Sequence, residues 1–242
     1  MKNVYKISDI LFEIEYYYKL TDALFKPYLY SGSDKVSEFI SVSNEDIDLE
    51  RNLSSATEPA FLEYSCILRK FAKICLTKYQ TLLFHASAIK YKGGAYLFTA
   101  QSGTGKSTHT RLLKEFLGDE VEYINDDKPT IRFDKQPPVV YGNPWCGKHI
   151  LGGNVSAPLK AVVKVVRSDS NSVFEISAES MLKTLIEQVY KPNDNSHLPL
   201  LLNYISKINK STKFYQLNCN TDVSSAKCSY ENILSKWGNV WK

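Results

Sequence analysis

Apolar residues alternate imperfectly near the start of the chain, as Val4, Ile7, Ile10, Phe12, Ile14 and then Tyr16-Tyr-Tyr18. Successive side chains of a strand point to opposite faces, so this pattern predicts one or two strands, the better over Phe12–Tyr18. Pro27 and Ser31-Gly-Ser33 mark turns. A further strand is predicted over Glu38–Val42, and the acidic, polar run Asn44–Asn52 reads as a loop. Residues 1–55 are therefore expected to form a β-rich region packed on residues 56–242.

The period changes at Glu58. Leu62, Ile67, Phe71, Ile74 and Leu76 recur every three to four residues up to Lys78, which predicts an amphipathic helix with Pro59 in its first turn. Leu82–Lys90 reads as a strand, Lys92-Gly-Gly94 as a turn and Ala95–Thr99 as a returning strand, so a hairpin leads directly into Ala100. From Ser107 to Phe116 the spacing is helical again, with Leu112, Leu113 and Phe116 on one side, and Gly118-Asp119 is a stop.

Strands are expected at Val121–Ile124, Thr130–Phe133, Val139–Tyr141, Leu159–Val166, Phe174–Ser177 and Phe214–Leu217. Gly142–Lys148 and Leu151–Asn154 are rich in turn formers. Helices are expected at Ala178–Tyr190 and Leu198–Ile208, separated by the Pro192-Asn-Asp-Asn loop, and at Val223–Trp237. Interleaved strands and helices, one pair of strands being a hairpin, predict an α/β fold with a mixed sheet.

The segment between hairpin and helix is Ala100-Gln-Ser-Gly-Thr-Gly-Lys-Ser-Thr108. Between a buried strand and a helix it reads as a phosphate-binding loop, and hence a nucleotide-binding core. Gly103 and Gly105 free the backbone N–H groups to point at an anion, and the helix N-terminus adds its dipole. Lys106 reaches the outer phosphates and Ser107 offers its hydroxyl to Mg²⁺, with Ser102, Thr104 and Thr108 completing the loop. One departure stands out: the pattern begins with Gly, and this chain has Ala100.

Asp126-Asp127 ends the next strand, which in such folds commonly runs beside the loop strand and would face the γ-phosphate. One carboxylate would complete a metal site and the other accept a proton from an attacking hydroxyl. The sequence leaves open which does which, and a turn with two solvated Asp is the alternative. Adjacent residues of an extended chain point opposite ways, so the pair needs a bend, for which Pro129 is the candidate.

Composition narrows the classes. Of 242 residues, 43% are hydrophobic and 23% charged, as in an ordinary globular protein. A net charge of +4 without a Lys/Arg block argues for a solvated surface and against a nucleic-acid partner. Five Cys, an odd number with no C-x-x-C spacing, argue for neither a disulfide framework nor a zinc site. No signal-peptide core and no membrane-length apolar run is present, so the expected location is the cytoplasm, with no membrane partner.

Taken in order, His85-Ala-Ser-Ala88, the Gly93-Gly94 turn, Ala100–Ser107 and Asp126-Asp127 resemble the HPr kinase/phosphorylase and phosphoenolpyruvate carboxykinase superfamily. Small relatives of these kinases carry motifs like Gly105-Lys-Ser-Thr-His-Thr-Arg111, Asn125-Asp-Asp-Lys-Pro129 and Gly142-Asn-Pro-Trp-Cys-Gly-Lys148. The resemblance implies an ATP-dependent phosphotransferase acting on a seryl hydroxyl or an enolate. It implies Gly103–Thr108 on the phosphates, Ser107 and Asp126 at Mg²⁺, the Asp126–Asp127 pair at metal and acceptor, and His85 near the phosphates. A homo-oligomer is implied by the same analogy. Thr108 stands where the HPr kinases have Glu, their C-terminal acceptor motif has no counterpart, and HPr itself is not the expected substrate.

Weaker candidates remain two-sided. Arg111 either meets an acceptor phosphate or pairs on the surface. His85 is either a site residue or a core histidine, and His109 lies in the first turns of the loop helix. Lys128 and Lys148 either neutralise the transferring phosphoryl or are solvated, solvation being the better reading of Lys148. Trp145 is read as a plug for its loop in preference to an aromatic wall. The leading expectation is a Mg-ATP kinase moving the γ-phosphoryl to a hydroxyl of a protein, a peptide or a small molecule. The alternatives are a nucleotide-binding regulatory module without its own acceptor and, for residues 1–55, a docking role.

Overall fold

Ser8 and Asp9 make the first turn. Both take positive φ, 55° and 58°, in a two-residue connection between strands β1 (Lys2–Ile7) and β2 (Ile10–Glu15). That turn twists in the same sense as the strands it joins, which is why it suits a hairpin. The molecule is described here by a computed structural model covering residues 1–53, 56–191 and 197–237. The expected loop at Pro192–Asn195 lies outside these residues. Strand β3 (Glu38–Ile40) adds parallel to β2, giving a three-stranded sheet.

Two corrections fall in this region. Tyr16 still exchanges backbone hydrogen bonds with Met1, but Tyr17 and Tyr18 do not extend the second strand. The backbone N–H groups of Tyr17 and Tyr18 donate to the buried Glu63 carboxylate at 2.5 and 3.2 Å, as does the Thr21 hydroxyl at 2.7 Å. The chain leaves the sheet there and winds into helix α1 (Lys19–Phe25). The run read as a loop is helix α2 (Asn44–Leu53). Ser43 accepts from the N–H of Asp46 at 3.2 Å while Asp46 accepts from the N–H of Ser43 at 2.8 Å, a reciprocal cap. Ile47 is buried, and Arg69 of helix α3 (Pro59–Lys78) forks onto the buried Glu50 at 2.9 and 2.7 Å. The long helix α3 runs where the periodicity predicts it.

The expected strand over Leu82–Lys90 is broken. Strand β4 (Thr81–Leu83) pairs with β8 (Thr130–Arg132), and β5 (Ser87–Tyr91) pairs elsewhere. Between them the backbone N–H groups of Phe84, His85 and Ala86 donate to the carbonyls of Pro129, Gln188 and Asp127. The hairpin of β5 and β6 (Gly94–Thr99) is as expected, with Tyr91 opposite Gly94.

After helix α4 (Lys106–Leu117), strand β7 (Val121–Asn125) pairs with β5 and not with β6. The hairpin has taken the place beside the loop strand. Because β5 is antiparallel to both β6 and β7, those two still point the same way, and their C-terminal ends share one edge. Strand β9 (Val139–Tyr141) and the long β10 (Ser156–Arg167) complete the path β4-β8-β9-β10-β6-β5-β7. β12 (Lys213–Cys219) flanks β10, and β11 (Ser172–Glu175) flanks β12.

Pleating divides the sheet's side chains between two layers. Ala95 and Leu97 face a core made with helices α5 (Ala178–Gln188) and α6 (Leu198–Ser211). Tyr96 and Phe98 face a second core, with Leu113 of α4 and Ala226 of α7 (Val223–Ser229). The winding widens after α7 over Tyr230–Leu234 and tightens over Ser235–Trp237, so the expected final helix is not uniform. A third core joins the small sheet, one face of α3 and Trp145. No helix among the described residues is long and apolar enough to cross a membrane.

Candidate functional site

Strand β6 delivers the chain to a loop that closes on itself. Gly103 and Gly105 sit at φ 78° and 118°, a region where side chains are strained, although a Cβ at either would meet nothing within 4 Å. Backbone angle, and not space, requires glycine here. Gly105 is the N-cap of α4 and no side chain caps the helix, so the first N–H groups of α4 are left for another partner. The Lys106 ammonium folds back onto the carbonyls of Ala100 and Gln101 at 3.0 and 3.3 Å. Burial lowers its pKa below the usual lysine value, opposed by the charge of Asp127. From the end of β10, Arg167 donates to the carbonyl of Gly103 and, at 3.1 Å, to that of Thr104.

The bend that the two aspartates need is made by Asn125, not Pro129. Its Oδ1 accepts from the N–H groups of Asp127 and Lys128 at 2.8 and 2.7 Å, an Asx turn at the end of β7. Its Nδ2 donates to the carbonyls of Asn143 and Trp145 at 3.2 and 3.3 Å, tying the strand end to the Gly142–Lys148 loop. That loop returns to the site. The N–H of Gly147 donates to Asp126 Oδ1 at 2.6 Å, and a Cβ on Gly147 would stand 3.0 Å from Asp126 Oδ2. A side chain at position 147 would press on the carboxylate and oblige it to shift.

The two aspartates have different surroundings. Asp126 is only 4% exposed, and Ser107 donates to its backbone carbonyl at 3.4 Å. Burial raises its carboxyl above the usual range; the Gly147 N–H opposes the rise and Asp127 adds to it. Asp127 instead pairs with Lys128 and lies 3.5 Å from His85 Nε2. His85 Nδ1 meets Gln188 Oε1 at 2.8 Å. With the amide oxygen accepting, Nδ1 carries the proton and Nε2 presents its lone pair to Asp127. Burial, then Lys106, lower the His85 pKa, so the ring is neutral at neutral pH.

Native Asp126 keeps its proton to higher pH than the unfolded chain does. Its contribution to stability is therefore complete below the unfolded pKa, near 3.8, and is lost as pH rises through the higher folded value. Asp126→Asn is expected to melt above the parent protein at about pH 7, the difference closing toward about pH 4. Thermal melts at both pH values check this. A variant melting below the parent at the upper pH would mean that the carboxylate's hydrogen bonds outweigh its desolvation.

His85, Ser102, Gly103, Gly105, Lys106, Ser107, Thr108, Arg111, Asp126 and Asp127 line one cleft of about 710 Å³. Thr104 faces the two neighbouring grooves instead. His85 is not a core histidine; the break between β4 and β5 brings it to the cleft. His109 is one. It is buried against the Phe98 ring at 5.0 Å, bonded to Ser229 at 3.0 Å, and burial lowers its pKa to about 4. Lys148 lines the cleft beside Phe61, Cys146 and His149. Burial pushes the Cys146 thiol up to about 12, which leaves it no thiolate at neutral pH. Trp145 is the plug expected of it, 1% exposed.

The sequence does not mark Asn125, Arg167 or Gln188 as acting in this site. The Asn-Asp-Asp order is the one available signal, since Asn readily accepts from N–H groups two and three residues on. Arg167 and Gln188 act across the fold and have none.

No family model matches the chain, and no curated protein matches it. Among solved structures the chain is similar to the HPr(Ser) kinase/phosphatase from Coxiella burnetii, with 10% identity over 65% of this chain and 98% of that one, at a TM-score of 0.36. Agreement at that level is a distant structural relationship and nothing finer.

Proposed function

We propose that the cleft binds a nucleoside triphosphate with Mg²⁺ and moves the γ-phosphoryl to a hydroxyl, the protein being an ATP-dependent kinase. The observation that carries this reading is the convergence of an uncapped helix start, Lys106 and two unlike carboxylates on one cleft. A glycine loop followed by a helix start that no side chain caps suits a chain of phosphates. Lys106, held over the loop by two carbonyls, needs only to swing outward to reach the outer phosphates.

The donor set fits Mg²⁺. This ion keeps waters and phosphate oxygens and takes few protein ligands; the Ser107 hydroxyl, bonded to the Asp126 backbone carbonyl, and the Asp126 carboxylate line the same cleft and are ligands of that kind. No larger cluster of His, Cys, Asp and Glu that could hold a metal is found among the described residues. Bound there, the ion would neutralise phosphate charge.

In this reading Asp127 accepts the proton of the attacking hydroxyl, and Lys128 orients its carboxylate. Asp126 is fixed by Gly147 and does not turn toward the acceptor. Arg111 lies one turn into α4 above Ser107 and contributes positive charge.

The test is transfer from γ-labelled Mg-ATP to a panel of hydroxyl acceptors, with nucleotide affinity measured in parallel. Tight binding and transfer to at least one acceptor are expected. Absence of nucleotide binding overturns the reading, and binding with hydrolysis stimulated only by a partner protein would make this a regulatory module instead. Arg167→Gln tests the loop's preorganisation. Nucleotide affinity should fall about 3- to 10-fold with little change in melting temperature, because the lost bonds are charge-assisted but exposed. Unchanged affinity would mean that the loop holds its shape alone.

A further inference from the structure

We propose that the outer half of the cleft is a second anion site, and that the hydroxyl acceptor carries a carboxylate or phosphate beside its reacting hydroxyl. This inference rests on the kinase reading and names its substrate class. The phosphate loop and Lys106 occupy the inner wall of the cleft. Arg111, Lys148 and His149 line the rest of it, with Phe61. All three are exposed, and none makes an ion pair among the described residues.

Charge is balanced differently deeper in. Asp127 is matched by Lys128, and the Asp126 carboxylate accepts from the Gly147 N–H. The guanidinium, the ammonium and the imidazole at the rim have no such carboxylate partner among the described residues. Surface lysines and arginines are usually solvated, but these come from different elements and meet at one opening. Arg111 stands four residues after Ser107 and three after Thr108. A helical side chain leans toward its own N-terminus, so the guanidinium covers the turn that holds both hydroxyls. Lys148 and His149 follow Gly147 directly, and the bond from Gly147 to Asp126 pins that loop across the cleft from α4. Asp126 and Asp127 lie between the two sides.

An oxyanion held by the planar fork of Arg111 and the point charge of Lys148 would present its neighbouring hydroxyl to Asp127. Phe61, at the N-terminal turn of α3, offers an apolar wall to the acceptor's carbon skeleton. A neutral acceptor would leave both cations unused, and charge-assisted hydrogen bonds supply the discrimination.

The test separates this from the parent reading by loading the cleft first. The protein is saturated with a non-hydrolysable Mg-ATP analogue, so that the loop is filled. Binding of matched compounds is then measured by titration calorimetry: glycerate and glycerol phosphate against glycerol, and N-acetylserine against N-acetylserinamide. At least one anionic member is expected to bind about 10- to 100-fold more tightly than its neutral partner, from one or two charge-assisted bonds. In Lys148→Gln/His149→Gln this preference should collapse while analogue affinity stays within about twofold. Carboxylate and phosphate arms tell which oxyanion is preferred. No charge preference in any pair, a preference that survives in the double variant, or an equal loss of analogue affinity would each overturn the proposal. Failure of the analogue to bind the parent protein would instead remove the kinase reading and this inference with it.

Discussion

Asp127→Asn is expected to lower phosphoryl transfer by about 10²- to 10⁴-fold, the usual worth of a positioned general base, while nucleotide affinity changes less than about threefold. The amide keeps the size of the side chain and most of its hydrogen bonding, but it cannot accept a proton. Little stability should be lost, since the pair with Lys128 is partly solvated and such pairs contribute about 0–1 kcal/mol. Asp126→Asn should behave differently. Its carboxylate accepts from the Gly147 N–H and its backbone carbonyl from Ser107, so in the proposed reading the loss should appear as weaker Mg²⁺ dependence of binding as well as slower transfer. Single-turnover transfer with parallel nucleotide titrations separates the two. If Asp127→Asn transfers at the parental rate, the base lies elsewhere, and His85 Nε2, already 3.5 Å from this carboxylate, is the group to examine next.

That contrast between neighbouring aspartates is not legible in the chain, and the reason is local. Their divergence depends on the Asx turn at Asn125, whose other side is fixed by carbonyls of Asn143 and Trp145, far along the sequence. The glycine loop is legible because its angles are a property of the segment itself. Helix α3 is legible because its apolar stripe repeats over 20 residues. Helix α2 has Ile47 as its one buried apolar residue and is secured by the Ser43–Asp46 cap and by Arg69 on Glu50. Periodicity misses the first of these and no local pattern shows the second.

The sheet order departs from expectation for a topological reason. Lys92-Gly-Gly94 correctly predicts the hairpin into the loop, yet the expectation that β7 lies beside β6 ignores it. A strand in a sheet has two neighbours. With β5 on one side of β6 and the long, β-branched β10 parallel on the other, no place remains for β7. The break at Phe84–Ala86 is the costlier omission, because it takes His85 out of the ladder and gives it to the cleft. Its causes are carbonyls of Pro129, Gln188 and Asp127, which are distant in sequence.

Trp145→Ala is expected to cost about 3–5 kcal/mol of stability, near the upper end for a single core truncation. The indole is 1% exposed and lies among Phe71, Phe25 and Tyr64, with ring centroids at 4.8, 5.3 and 6.0 Å. Its N–H donates to the Tyr64 carbonyl at 3.2 Å, a bond that no smaller residue replaces. For a chain of this length the loss corresponds to a fall in melting temperature of about 6–20 °C. Trp145→Phe keeps most of the apolar area and should lose about half as much, chiefly the hydrogen bond and one ring of packing. The effect should reach the cleft as well. Trp145 belongs to the core shared by α3 and the small sheet, while its carbonyl holds Asn125 and its backbone N–H rests on Asn143 at 3.0 Å. Truncation frees the turn that sets Asp127 apart from Asp126, so transfer should fall more than nucleotide affinity, which depends on the loop at β6. Chemical denaturation and transfer assays on the two variants check both halves. A loss below about 1 kcal/mol in Trp145→Ala would show that the surrounding rings collapse into the space, and that the site does not depend on this plug.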